Sequence, residues 1–428
     1  MIRSPRSNVR RLALGRLISV MGGAAAYTAL NYTVWERTHS PFMQALSLLL
    51  TFGVAGLIGP FTGALGDRYN RRTVMLWSEA ISAAFFAAMV FAKDPGLLIV
   101  LAFGSAIAEL PFFSASRAAI PNLVESEKDL SWANSLVSMG VHAGIAVGPV
   151  IGGGLVAILA PGDTPLPDRL HMAGAVVFGL NAISFLISLA VTLTVRGRFE
   201  EERSPDAEPE HEGLFAGAAY LWRERVLRRM AFAWLVFVLG MGMGMVADAP
   251  LAESFGTGGW GFGLLIACWG TGSVLGTAFG RWMNARTEPL WMVFGAAGVA
   301  VSAFGVGLSG LFPLVLVSLL VMGTSDGISI VAENGIMQRR TPDVVRSRAM
   351  AALEAVLSLG LAVAYLAAGP VLRLVEAQTV YVIAGVFAVG ATIVLLPLVR
   401  LKADASDGRP TGPGVPVQQP TTGDRATV

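Results

Sequence analysis

The chain has 428 residues, of which 54% are hydrophobic and only 14% charged, with a formal net charge of +2 and a mean hydropathy of +0.63. A soluble domain is roughly 25% charged. The composition therefore excludes an ordinary soluble protein, disorder over most of the length and bulk electrostatic attraction to nucleic acid. One cysteine (Cys268) excludes a disulfide scaffold, and 50 glycines without a period of three exclude a collagen-like rod.

In chain order, apolar runs predict twelve membrane spans, at 12–34, 43–65, 73–92, 96–114, 130–160, 171–195, 230–249, 260–282, 289–309, 312–331, 349–371 and 378–399. Stretches such as Leu311 to Met322 are continuously apolar rather than alternating. That favours helices over a barrel. Pro161 to Asp168 form the loop between the fifth and sixth spans, and Gly310 separates the ninth from the tenth in a tight helical hairpin. Segment 196–213 reads as a charged linker. From Gly213 to Arg229 an amphipathic surface helix is expected, with Leu214, Ala218, Leu221 and Val226 near one face. The tail after Lys402, rich in Pro, Gly, Thr and Asp, is expected to be disordered.

Lys and Arg set the orientation. With the N-terminus in the cytoplasm, 26 of the 31 cations fall in cytoplasmic segments and four (Arg37, Lys93, Arg169 and Arg373) on the other side. Both termini are then cytoplasmic and the span number is even. The Arg10-Arg11 pair before an apolar run could start a secretory signal, but eleven further spans make the segment the first span instead.

The linker divides the chain into two halves of six spans, and weak echoes relate them. Gly63-x-x-x-Asp67-Arg68 follows the second span and Gly276-x-x-x-Gly280-Arg281 the eighth. Arg117 to Pro121 follow the fourth span and Gln338 to Pro342 the tenth. The expected fold is an all-α membrane protein of twelve transmembrane helices in two pseudo-symmetric six-helix bundles. Its parts are 1–195, the linker 196–229, 230–400 and the tail 401–428.

Three motifs make the chain resemble the major facilitator superfamily over about residues 10–400. The first runs from Gly63 through Asp67 and Arg68 to Asn70, Arg71 and Arg72, matching G-x-x-x-D-[RK]-x-G-[RK]-[RK] except at Asn70. Asn tolerates the positive φ that such a turn needs. By resemblance, this gate loop implies that Asp67 latches against the start of the eleventh helix. The second motif is Gly140, Gly144, Gly148, Pro149, Gly152 and Gly153 in the fifth span. Glycines at intervals of four admit close backbone approach, and the pattern looks like the antiporter signature of drug exporters. The third is Phe113 to Val124 followed by Leu130 to Ser135, similar to the macrolide and siderophore efflux branch, with a second-half counterpart at Gln338, Pro342, Arg346, Ser347 and Arg348. That branch usually carries an acid after the first-span glycine, where this chain has Gly22-Gly23-Ala24. The fourth-span arginine of other drug antiporters is absent between Leu97 and Phe113.

Ionisable groups inside a span cost about 2.5–3.5 kcal/mol each on insertion scales, so each needs a partner, a wet cavity or a neutral state. Glu109 and Asp326, deep in the fourth and tenth spans, are the leading candidates for a proton or substrate site, each also readable as a helix–helix hydrogen bond. Glu79 and Glu354, nearer the cytoplasmic ends, could instead pair with loop arginines. His142 is read as lying within the glycine face of the fifth span, and Arg16 as snorkelling or pairing with a carboxylate. Asp248 and Glu253 are expected to face the outer solvent; Asn31, Tyr32, Asn181 and Tyr365 could line a cavity. No phosphate-binding loop and no metal-ligand spacing occurs, and the Met241 to Met245 run reads as packing. No enzyme activity, cofactor or metal is expected.

Together with the resemblance, these features imply a monomeric exporter of the cytoplasmic membrane. It would use proton antiport and alternating access to move an amphipathic small molecule, drug-like or siderophore-like. A uniporter, a proton-coupled uptake symporter, or a non-transporting scaffold or sensor are the alternatives.

Overall fold

The computed structural model describes residues 5–54, 58, 69–120, 123–124, 127–160, 166–195 and 216–400. These are helical throughout, with no strand among them. In chain order the helices are α1 (Pro5–Thr38), α2 (Pro41–Leu48, running on as a π-turn over Leu49–Val54), α3 (Arg71–Met89), α4 (Pro95–Ala119), α5 (Glu127–Leu159) and α6 (Leu166–Thr194). The short linker helix α7 (Ala216–Arg223) follows, then α8 (Arg225–Ser254), α9 (Gly258–Thr277), α10 (Glu288–Leu308), α11 (Phe312–Arg340), α12 (Asp343–Val371) and α13 (Ala377–Arg400).

Ten of these helices are long and apolar enough to cross a membrane. The other two expected spans correspond to α2, whose described part is short, and α3, which carries Arg71, Arg72 and Glu79. The chain is a multi-pass membrane protein. Helices extend past the predicted spans: α11 continues to Arg340, nine residues past the predicted span end, because Glu333, Asn334, Gln338 and Arg339 are good helix formers or are tolerated at a helix end.

Neighbour relations repeat between the halves. In the first, α1 packs on α5 and α6, and α3 on α4 and α6. In the second, α8 packs on α12 and α13, and α10 on α11 and α13. The halves meet through the matched pairs α2–α12 and α5–α9. One end of the bundle gathers the start of α1, the end of α6 and the linker helix: Arg11 donates to the Thr194 carbonyl, Arg72 to that of Leu193, and Tyr220 to that of Arg340. We call it the linker end and its opposite the far end.

The halves touch toward the far end. A Cβ on Gly263 would sit 2.6 Å from the Pro149 carbonyl, so α5 and α9 lie backbone to backbone. Phe42 of α2 lies against Gly369 of α12, and Gly53 against Ala362. Trp35 at the end of α1 donates to Glu253 at the end of α8 (2.6 Å), and Tyr32 stacks on Phe262 at 6.0 Å. Between α1 and α2 the turn is made at His39, the one non-glycine residue with positive φ (40°) among those described. Ser40 then caps α2 at Met43 N.

The expected amphipathic helix from Gly213 to Arg229 is interrupted. Glu224 takes an extended conformation (φ −78°, ψ 120°), and its carboxylate accepts from Leu227 N as the cap of α8. Arg225, Arg228 and Arg229 therefore begin α8. The short α7 is docked rather than free on the surface: Gly217 lies against the Arg348 backbone and Leu221 is buried. The charged linker 196–213 and the tail 401–428 lie outside the described residues, as do Gly63, Asp67 and Arg68 of the gate loop. Of that loop's described end, Asn70 does not take the expected positive φ: at φ −55° it caps α3 by accepting from Arg72 N and Thr73 N.

Candidate functional site

Among the described residues, ionisable groups gather within the helix bundle in both halves. In the first half, Arg16 and Tyr27 lie eleven residues apart on α1, about three turns, and so share a face. Tyr27 Oη donates to Glu109 on α4 at 3.1 Å, and Ser105 Oγ, one turn before Glu109, donates to the same oxygen at 3.1 Å. Glu79 on α3 is 1% exposed and accepts from Ser188 of α6. Arg16 is 3% exposed, stacks on the rings of Phe112 and Phe113 (5.3 and 4.4 Å), and lies within electrostatic reach of both Glu79 and Glu109. One buried cation thus serves two carboxylates on different helices. Arg16 does not snorkel to the linker end.

In the second half, Asp326, Glu333 and Asn334 of α11, Glu354 of α12 and Trp234 of α8 line a cavity of about 260 Å³. Asp326 is 7% exposed and makes no hydrogen bond or ion pair within the described residues. Glu333, electrostatically coupled to Asp326 and Glu354, is the member that sequence reading passed over, because the predicted span stopped at 331. Its signal was its spacing: seven residues after Asp326, two turns along one face.

The glycine motif of α5 splits between two neighbours. Gly140, Gly144, Gly148 and Gly152 lie against the α1 backbone from Ala13 to Ala25, while Gly153 faces Gly259 and Gly263 of α9. Pro149 lies within α5, where its carbonyl meets Gly263.

His142 is not part of this glycine face. Its side chain is exposed and its Nδ1 bonds the Ser138 carbonyl of its own helix, because two residues from Gly140 turns it about 200° away. Asp248 does not face solvent either: it accepts from Tyr381 Oη between α8 and α13. Glu253 is at the far end but engaged by Trp35, with His39 Nδ1 at 3.8 Å. Asn31 and Asn181 are buried in hydrogen-bonded packing with Ser47 and Ser184. Tyr365 is fully buried against Met245.

A family model described as Major Facilitator Superfamily matches residues 12–342 and 242–422. The chain is 26% identical over 352 residues to the enterobactin exporter EntS of Shigella boydii serotype 18, covering 79% of each chain. The same identity and coverage hold for that of Escherichia coli O139:H28. Among solved structures, a bacterial homologue of the lysosomal transporter Spinster, inward-facing and occupied, superposes with a TM-score of 0.70 at 16% identity, over 94% of this chain and 98% of that one. A mutant of the nucleoside transporter NupG gives 0.70 at 13% identity (91% and 99%). A bacterial homologue of the iron transporter ferroportin, inward-facing, gives 0.67 at 16% identity (92% and 99%).

Proposed function

This chain belongs to the major facilitator superfamily, and we propose that this membrane transporter exports an amphipathic small molecule, drug-like or siderophore-like, by proton antiport. The observation that carries the coupling is Glu109. It is held in the bundle by two neutral donors, Tyr27 and Ser105, with Arg16 as a shared cationic neighbour. A carboxylate so placed can take up a proton without unfolding its surroundings: the two hydroxyls rotate, and Arg16 keeps Glu79 as counter-charge. Proton occupancy at Glu109 then redistributes the Arg16 interaction between α3 and α4, two helices that pack on each other.

The direction of transport rests on the α5 glycine motif and on the exporters named among the relatives. In this reading the linker end faces the cytoplasm, as the positive-inside count expects. Contact between the halves toward the far end then corresponds to a state closed to the outside. Residues 1–195 and 230–400 act as the two rocking units and the protein works as a monomer, with Gly63, Asp67, Arg68, Arg71 and Arg72 as a gate loop.

The test is flux in proteoliposomes under an imposed pH gradient, with an amphipathic drug-like probe. Wild-type protein moves the probe against its gradient when protons flow the other way. Glu109→Gln abolishes that coupled movement while leaving equilibrium exchange of the probe. Full gradient-driven transport by Glu109→Gln removes the assignment. Probe accumulation on the same side as proton influx replaces export by uptake.

A further inference from the structure

The second-half cavity has a chemistry distinct from the first-half cluster. It is lined by three carboxylates and no Lys or Arg. The arginines near it are engaged elsewhere: Arg339 with Glu288, Arg340 with Glu224, and Arg346 with the Gln338 and Thr341 carbonyls. Asp326 is buried, aimed into the cavity and unpartnered among the described residues. A buried carboxylate with no counter-charge is costly to keep, a cost that water in the cavity or a bound proton lowers and that a cationic ligand removes. Apart from Asn334 the remaining walls are apolar, among them Trp234, Met337, Met350 and Leu353.

A cation suits the cavity, and geometry selects its size. No three carboxylate, His or Cys groups among the described residues stand close enough to hold a metal ion. The acids are spread over two helices around a space of about 260 Å³, near the lower limit of a small-molecule pocket. A bare ion cannot touch them together; an organic ammonium group on an apolar body can. Trp234 lies nine residues from the start of α8, about 14 Å of helix from the linker end, so the cavity lies on the side where the halves are not pressed together.

We propose that Asp326, Glu333 and Glu354, with Trp234, form a binding site for an organic cation, a quaternary or protonated amine carried on an apolar body. The proposal deepens the transport reading by giving the transported molecule a positive charge.

The test is equilibrium binding to the full-length chain in lipid nanodiscs at neutral pH. The probes are benzyltrimethylammonium and its neutral carbon isostere neopentylbenzene, which differ in charge alone. The cation binds at least about tenfold tighter than the isostere, a difference of 1.4 kcal/mol. Asp326→Asn and Glu333→Gln each weaken it by about tenfold, and Glu354→Gln, at the exposed rim, weakens it less. Equal binding of the two probes overturns the site. So does absence of cation binding, unchanged binding in variants that melt cooperatively, or displacement of the cation by Mn²⁺ alone at equimolar concentration. If Asp326→Asn does not fold, Glu333→Gln and Glu354→Gln decide. Lost pH-driven probe transport with cation binding intact defeats the antiport reading alone; the reverse result defeats this site alone.

Discussion

The two acids deepest in the spans differ in how they are kept. Glu109 has two hydroxyl donors and a cation in reach; Asp326 has a cavity and no partner among the described residues. Removing the charge of Asp326 and removing Glu79, the other acid in reach of Arg16, therefore have opposite consequences for stability. Asp326→Asn relieves a buried uncompensated carboxylate and raises the melting temperature of the empty protein in detergent. A lower value would mean that Asp326 has a partner. Glu79→Ala leaves Arg16 with half its counter-charge and strands Ser188. It lowers the melting temperature, at a cost in stability below the roughly 3–5 kcal/mol of a buried charge left with no partner, while Glu79→Gln keeps the Ser188 contact and costs less. Hydropathy singled out Arg16, Glu79, Glu109, Asp326 and Glu354, because a charge in an apolar run is conspicuous. It did not group them, since grouping depends on which helices pack. Tyr27, Ser105 and Ser188 were invisible to it because hydroxyls are ordinary in spans. His142 was misplaced by reading a face from proximity in sequence rather than from the helical angle.

At the scale of elements, α5 carries the two-sided glycine seam. Gly152 lies against the Ala25 backbone, whereas Gly23 on α1 has nothing within 4 Å of an added Cβ. Gly152→Leu forces α1 and α5 apart and costs about 1–3 kcal/mol, read as lowered thermal stability and lost transport. Gly23→Ala is neutral or slightly stabilising, since alanine favours the helix by up to ~1 kcal/mol. Equal effects at the two sites would show that the seam is not a tight backbone contact. The period of four in the sequence made close approach legible, but not its partners. Those follow from the whole-bundle arrangement that puts α1 on one side of α5 and α9 on the other. The linker shows the converse limit. Its arginines suggested a continuous surface helix through Arg229, but one capping carboxylate, Glu224, ended it and started α8.

For the whole molecule, a multi-span helical membrane fold and its repeated neighbour relations were readable because bilayer thickness and positive charge impose long-period patterns on the chain; ten of the twelve expected spans are long and apolar enough in the described residues. The conformation was not, because a helix carries the same apolar face whether its partner half is near or tilted away. Here the far end is held by the α5–α9 seam, the α2–α12 contact and the Trp35–Glu253 hydrogen bond. Trp35→Phe removes that hydrogen bond to a charged acceptor, worth about 1.5–3 kcal/mol. It shifts the resting population toward the state open at the far end, seen as faster labelling of Gly259→Cys by an impermeant thiol reagent.

During transport the two halves part and close again at these contacts. The distance between spin labels at Phe42→Cys and Leu374→Cys, which are exposed at the far end on opposite halves, reads this motion in a Cys268→Ala background. Pulsed dipolar spectroscopy on reconstituted protein gives a short distance at rest. A second, longer population appears when a transported probe and an opposing proton gradient are present. A single unchanged distance while the same sample sustains coupled flux rules this motion out.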